Sequence, residues 1–178
     1  MSKLFIFPAV FFSLLLGACE KDKADSYGDG PKTTVSESFQ GMWMYGSFST
    51  TEYWSQNPAD YLGNAFELAI AFKFNANGTY EQYFTSRTVT SGISTYHQSL
   101  SRGTVEINEA SKTIVTHAAN AHYKQTKNNQ TIQDRDLDKS EITATTTYTY
   151  ELDTAPNGTK MIKLKLNGTG NALEFLKK

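Results

Sequence analysis

Cysteine is almost absent from the chain: Cys19 stands alone among 178 residues. No intramolecular disulfide can form, and no cysteine-based zinc site can be assembled. Histidine is nearly as scarce, limited to His97, His117 and His122. His117 and His122 are five apart and so fall on opposite faces of a regular strand, and the alternation places no carboxylate beside His97 and His117. No metal site and no cofactor is expected. Neither sign of charge dominates, with 17 basic and 18 acidic side chains giving a formal net charge of −1, which excludes nucleic acid as a partner on electrostatic grounds. The length suits one domain held by packing alone. One long apolar run exists, Leu4 to Leu16, interrupted by Pro8 and Ser13 and too short to span a bilayer.

That run has the form of an export signal, with Lys3 as its positive n-region. Leu16-Gly17-Ala18-Cys19 then resembles the lipobox of bacterial lipoproteins. The resemblance implies cleavage after Ala18 and acylation of Cys19, which becomes the first residue of the mature protein. Each buried methylene contributes about 0.8 kcal/mol, so several acyl chains on one residue give a stable membrane anchor. The expected location is the envelope of a Gram-negative bacterium, at the outer membrane, with the face open between periplasm and cell surface. Glu20 to Asp25 is an acidic cluster that looks like a surface-export signal, with a solvated linker as the alternative. The expected organisation is a signal peptide over 1–18, a lipidated Cys and flexible tether over 19–38, and a β domain over 39–178.

From Gly41 onward apolar residues recur with period two. Ile142, Ala144, Thr146, Tyr148, Tyr150 and Leu152 share one face of a strand whose other face carries Glu141, Glu151 and a run of threonines. Phe66 to Phe74 and Met161 to Leu166 alternate likewise. Asn77-Gly78, Asn157-Gly158 and Asn167-Gly168 each separate two such runs and read as tight hairpin turns. Gly103 falls where the inward set passes from Tyr96, Gln98 and Leu100 to Val105 and Ile107, which predicts a bulge in that strand. The pattern predicts eight strands, at about 41–49, 66–75, 79–89, 94–107, 113–125, 140–152, 159–166 and 172–177. The expected fold is therefore all-β, an eight-stranded antiparallel up-and-down barrel, with a two-sheet β-sandwich as the alternative.

Gly41-Met42-Trp43 resembles the Gly-x-Trp of lipocalins. Phe72 to Tyr80 is similar to the F-x-F-x-x-(D/N)-G-T-(Y/F) hairpin of lipocalin-like lipoproteins. The resemblance covers residues 41 to 177 and implies that Trp43 plugs the closed end of the barrel. The chain departs from classical lipocalins in lacking disulfides, the later Thr-Asp-Tyr motif and a helix after the last strand.

An eight-stranded barrel either holds one small ligand or fills its interior with side chains. Inward parity assigns Tyr45, Tyr80, Phe84, Tyr96, Gln98, Tyr123, Tyr148 and Tyr150 to the interior, as a ligand-binding set or as plain core. Small residues at Ala119, Ala121, Ala144 and Thr146 leave room among them. The connection from Ser49 to Asn64 carries Tyr53, Trp54 and Tyr61, read as a lid or partner-contact loop because lipocalin-like folds place this loop over the open end; a cluster pinning the loop down is the alternative. Asp134, Asp136 and Asp138 lack the glycine and glutamate of a calcium loop, so Lys127 to Lys139 reads as a flexible charged loop. No catalytic constellation is legible, and an enzyme is not expected. The expected function is binding of a small apolar or amphipathic ligand by a membrane-anchored lipocalin-like domain. A filled barrel contacting an unknown protein partner, for instance as an inhibitor, is the alternative.

Overall fold

The structure, a computed structural model, describes residues 27–55 and 66–178. The expected leader, Cys19 and Tyr61 lie outside the described residues. The strands are β1 (Gly41–Tyr45), β2 (Phe66–Phe74), β3 (Thr79–Thr90), β4 (Ile93–Asn108), β5 (Thr113–Lys127), β6 (Gln130–Asp136), β7 (Thr145–Thr154), β8 (Lys160–Leu166) and β9 (Leu173–Lys177). All pair antiparallel in one sheet of order β4-β3-β2-β1-β9-β8-β7-β5-β6, and β4 also pairs with β5. That second pairing closes a barrel-like ring of eight strands, with β6 outside it, so the architecture is all-β and antiparallel as the sequence pattern predicts.

The ninth strand forms from the segment read as a charged loop. β5 is long enough to serve two partners along one edge: Thr113–His117 pairs with β7, and His122–Lys127 pairs with β6. Asn128 and Asn129, with φ of 48° and 63°, turn the chain from β5 into β6 in the left-handed geometry that asparagine tolerates. Where the two partners of β5 part, the β6–β7 connector bridges them. Leu137 N donates to Ala121 O at 2.8 Å and Ala118 N donates to Ala144 O at 2.9 Å.

The predicted bulge exists, but it belongs to the neighbouring strand. Arg102 faces Asn120 and Gly103 faces Ala118, so Ala119 of β5 is the extra residue. β4 therefore keeps one parity throughout. Its odd residues Ser99, Ser101, Val105 and Ile107 face the interior, and Tyr96, Gln98 and Leu100 face outward. Gly103 is required because the bulged backbone of β5 comes in over it: a Cβ there would sit 1.9 Å from the His117 carbonyl oxygen.

The core occupies the ring's interior at the end marked by the β2–β3 turn. Trp43, Phe72, Phe74, Tyr80, Val105, Ile114, Ile162 and Phe175 are almost fully buried there. Val35 and Phe39 pack into the same cluster from the segment before β1. Trp43 Nε1 donates to Phe39 O at 2.7 Å, which satisfies the indole in an otherwise apolar site. Residues 27–38 thus do not behave as the expected tether. Thr33 N donates to Val105 O at 3.0 Å and Val35 N donates to Ala76 O at 3.1 Å. The Tyr27 hydroxyl donates to Glu81 at 2.6 Å. The segment is polar in composition, but it is held by backbone hydrogen bonds, which composition does not register. Gly28 and Gly30, read as flexibility, are close-approach residues: added Cβ atoms would lie 2.8 Å from Ala119 Cβ and 2.5 Å from Thr104 Oγ1.

Candidate functional site

Strand parity fixes what faces the interior, and ring contacts across it confirm the assignment. Phe72 of β2 and Tyr148 of β7, on non-adjacent strands, meet edge to face with centroids 5.6 Å apart. Gln82 of β3 and Tyr148 of β7 share the inner face. Among the described residues these two line both of two adjoining compartments.

The larger compartment has a volume of about 230 Å³. Ser99, Ser101 and Thr146 contribute hydroxyls, Ala118 and Ala121 leave the space, and Leu137, Glu141, Ile142 and Thr143 of the β6–β7 connector form its outer wall. The bulge contributes directly, since Ala118 and Ala121 both face inward only because Ala119 shifts the parity of β5 between them. Access is at the connector, where the Glu141 side chain is 38 % exposed. There Arg135 forms a two-point pair with Glu141, at 2.7 and 2.8 Å, and Asp138 N donates to the same carboxylate at 2.9 Å. The guanidinium holds the Glu141 carboxyl at about 2, well below the usual carboxylate range. The smaller compartment, about 120 Å³, is walled mainly by Ile70, Phe72, Leu164, Leu166, Leu173 and Phe175.

Of the residues assigned to the interior from sequence, Tyr80, Tyr148 and the small Ala121 and Thr146 line the larger compartment. Tyr80 is 1 % exposed, and burial pushes its hydroxyl up to about 12. Tyr45 and Tyr150 join the core instead: Tyr45 packs on Phe175 at 5.9 Å and Tyr150 meets Phe39 edge-on at 4.9 Å. Phe84 pairs with Ser99, and Tyr123 hydrogen-bonds through its hydroxyl to His97 Nδ1 at 2.6 Å, farther toward the β3–β4 turn. Tyr96 and Gln98 lie on the outer face and line neither compartment; the expected parity change in β4 is the β5 bulge. Ala119 is outward for the same reason, and Ala144 sits in the connector. Gln82, Ser99 and Ser101 were missed, although the period-two count through Tyr80 and Phe84 puts Gln82 between them on the inner face.

The aromatic segment after β1 lies along the outer wall. Tyr53 is 3 % exposed, and its hydroxyl donates to Phe84 O at 2.5 Å and Ser99 O at 2.7 Å. Gln98 Nε2 donates to the Tyr53 carbonyl, and Phe48 and Tyr83 pack on the Tyr53 ring. Trp54 meets the His122 ring edge-on at 4.8 Å, and Lys124 Nζ donates to its carbonyl at 2.9 Å. Neither residue lines the cavity mouth, so the pinned-cluster alternative describes Tyr53 and Trp54. The β6–β7 connector, not this segment, contributes to the wall of the larger compartment.

Two histidines do have carboxylates beside them, which the reading of sequence did not foresee. Asp134 and Asp136 of β6 straddle His122, at 2.8 Å from Nε2 and 2.7 Å from Nδ1. Glu106 lies 2.8 Å from His117 Nε2. Among the described residues, no group of three or more His, Cys, Asp or Glu is arranged to hold a metal ion.

The fold and site together define a closed antiparallel β ring with a small two-part internal cavity beneath a latched connector. No family model, no curated protein and no solved structure matches the chain.

Proposed function

We propose that this chain is a lipid-anchored envelope protein whose ring binds a small amphipathic molecule in its interior, in the manner of a minimal lipocalin-like carrier. The observation that carries the binding reading is a hydroxyl-lined compartment of about 230 Å³ beside an apolar one of about 120 Å³, with Gln82 and Tyr148 in the walls of both. A dry apolar cavity of about 150 Å³ holds a benzene molecule, so the space suits a ligand smaller than most drug-sized molecules, which occupy about 300 Å³ or more. The lipid anchor rests on the leader and on Leu16-Gly17-Ala18-Cys19. The outer membrane of a Gram-negative cell remains the expected address.

Native mass spectrometry of the protein purified from its own host tests the binding reading. A retained small molecule supports it, and an invariably empty protein counts against it. Mass analysis of the N-terminal peptide tests the anchor: an acylated Cys19 at position one is expected, and an unmodified thiol overturns it.

A further inference from the structure

We infer that the interior selects an uncharged, hydroxyl-headed small amphiphile and rejects its carboxylate-headed counterpart. This inference rests on the interior-binding reading above and adds the ligand's chemical class. The larger compartment offers the hydroxyls of Ser99, Ser101, Thr146 and Tyr148 and the Gln82 amide. All are neutral at ordinary pH, and each hydroxyl can both donate and accept. An alcohol or polyol head can exchange its hydration for these partners one for one. Among the described residues no lysine, arginine or histidine lines either compartment. The one ionisable carboxylate in the lining is Glu141, at the solvent edge and already engaged by Arg135.

A carboxylate head would therefore enter without a counter-cation and pass the connector's Asp138 and Glu141, the latter already engaged by Arg135. Burying an unpaired ion is costly enough to exclude it. An ammonium head would have to take Glu141 from Arg135, exchanging a two-point guanidinium pair for a single contact. The tail has limits of its own. The apolar compartment, about 120 Å³, is smaller than a benzene-holding cavity of about 150 Å³, so it suits a short alkyl chain. A molecule filling both compartments passes between Gln82 and Tyr148, which line both, and can offer its hydroxyl to these two groups.

The test compares three amphiphiles with short six-carbon chains, hexyl glucoside, hexanoate and hexylamine, against the mature chain from position 19 carrying Cys19→Ser, which has neither the apolar leader nor an acyl chain and needs no detergent. Binding is measured by calorimetry and located by amide chemical shifts. Hexyl glucoside is expected to bind at least tenfold more tightly than either charged analogue and to shift the amides of Ser101, Thr146 and Phe72. Hexanoate or hexylamine binding there as tightly as the glucoside overturns the head-group assignment and leaves interior binding intact. No interior shift with any of the three overturns both. Ala121→Leu, which fills the larger compartment, is expected to weaken the glucoside at least tenfold, and unchanged affinity in that variant also overturns the assignment. Should that variant fail to fold, the shift map of the Cys19→Ser protein decides alone.

Discussion

Gln82 of β3 and Tyr148 of β7 each line both the hydroxyl-bearing and the apolar compartment inside the ring, so the two residues stand where the compartments adjoin. Burial raises the Tyr148 pKa, and the Gln82 amide acts against that rise, as a donor to the phenolic oxygen should. A hydrogen bond between the two side chains would contribute about 0.5–1.5 kcal/mol net, and the loss of one partner would leave the other unsatisfied. Gln82→Leu and Tyr148→Phe are each expected to lower stability by about 1 kcal/mol. The double variant should lose less than the two singles together, with a coupling of at least about 0.5 kcal/mol. Urea denaturation of the four proteins measures it, and strict additivity would show that the pair is not coupled.

Gly103 makes the sharpest stability prediction. A methyl group there meets the His117 carbonyl oxygen at 1.9 Å, and that oxygen belongs to the bulged backbone of β5, which cannot swing aside as a side chain would. Gly103→Ala should cost more than about 3 kcal/mol, in the range reserved for overpacking and backbone displacement. Gly92→Ala is the control. Gly92 sits in the β3–β4 turn with φ of 74° and open space around its Cβ position, so only backbone strain of about 1 kcal/mol is at stake. Comparing the two denaturation midpoints tests whether the β5 bulge, and with it the cavity wall at Ala118 and Ala121, is fixed by the glycine opposite.

Period and turn chemistry carried most of the architecture. Eight of the nine strands follow from alternation, because a strand with one buried face must alternate, and the Asn-Gly pairs mark hairpins because they accept positive φ. β6 was not legible: all seven of its residues are exposed, so no alternation betrays it, and it exists because β5 offers a spare edge. The outward burial of Tyr96 and Gln98 escaped for a related reason. Period two says which residues share a face, not which face is inside, and Tyr53 covers part of the outer one. The parity change at Gly103 was read correctly as a bulge and assigned to the wrong partner, since a glycine marks the close approach of a bulged neighbour as readily as its own irregularity. Of the candidate site, Tyr80, Ala121, Thr146 and Tyr148 were visible. Gln82, Ser99 and Ser101 were hidden by their polarity, which a search for aromatic ligand contacts passes over.

Tyr53 should behave as a structural pin rather than a moving lid. Its one hydroxyl proton is shared between the carbonyls of Phe84 and Ser99 on β3 and β4, so Tyr53→Phe removes that donor and should cost about 1 kcal/mol. Tyr53→Ala also empties a buried aromatic site and should cost about 3–5 kcal/mol. Because Tyr53 lines neither compartment, affinity for an interior ligand in the Tyr53→Phe protein is expected to stay within about twofold, well inside the tenfold that 1.4 kcal/mol represents. Calorimetric titration beside thermal denaturation separates the two roles; a large affinity loss without a stability loss would restore the lid.

His122 and His97 are expected to titrate on opposite sides of the ordinary histidine value. Burial alone would lower the His122 pKa, but hydrogen bonds to Asp136 and Asp134, together with their charges, outweigh it and the net shift is upward. The charged groups around this ring are those two carboxylates on β6 and Lys124 on β5, with Trp54 against the ring face. A group whose folded pKa is raised stabilises fully below its unfolded pKa and loses that contribution as pH climbs through the folded pKa. The β5–β6 pairing should accordingly loosen as pH rises past the His122 midpoint, seen as faster amide exchange in residues 130–136 relative to the β7–β8 hairpin after correction for intrinsic rates. His97 moves the other way: burial lowers its pKa, so its contribution is present above the unfolded pKa and is lost on acidification through the folded one. Ring-proton NMR titration should place the His122 midpoint above 6.5 and the His97 midpoint below it. Asp136→Asn should bring the His122 midpoint down and leave that of His97 unchanged, and a His122 midpoint indifferent to that substitution would mean that β6 is not held by the imidazole.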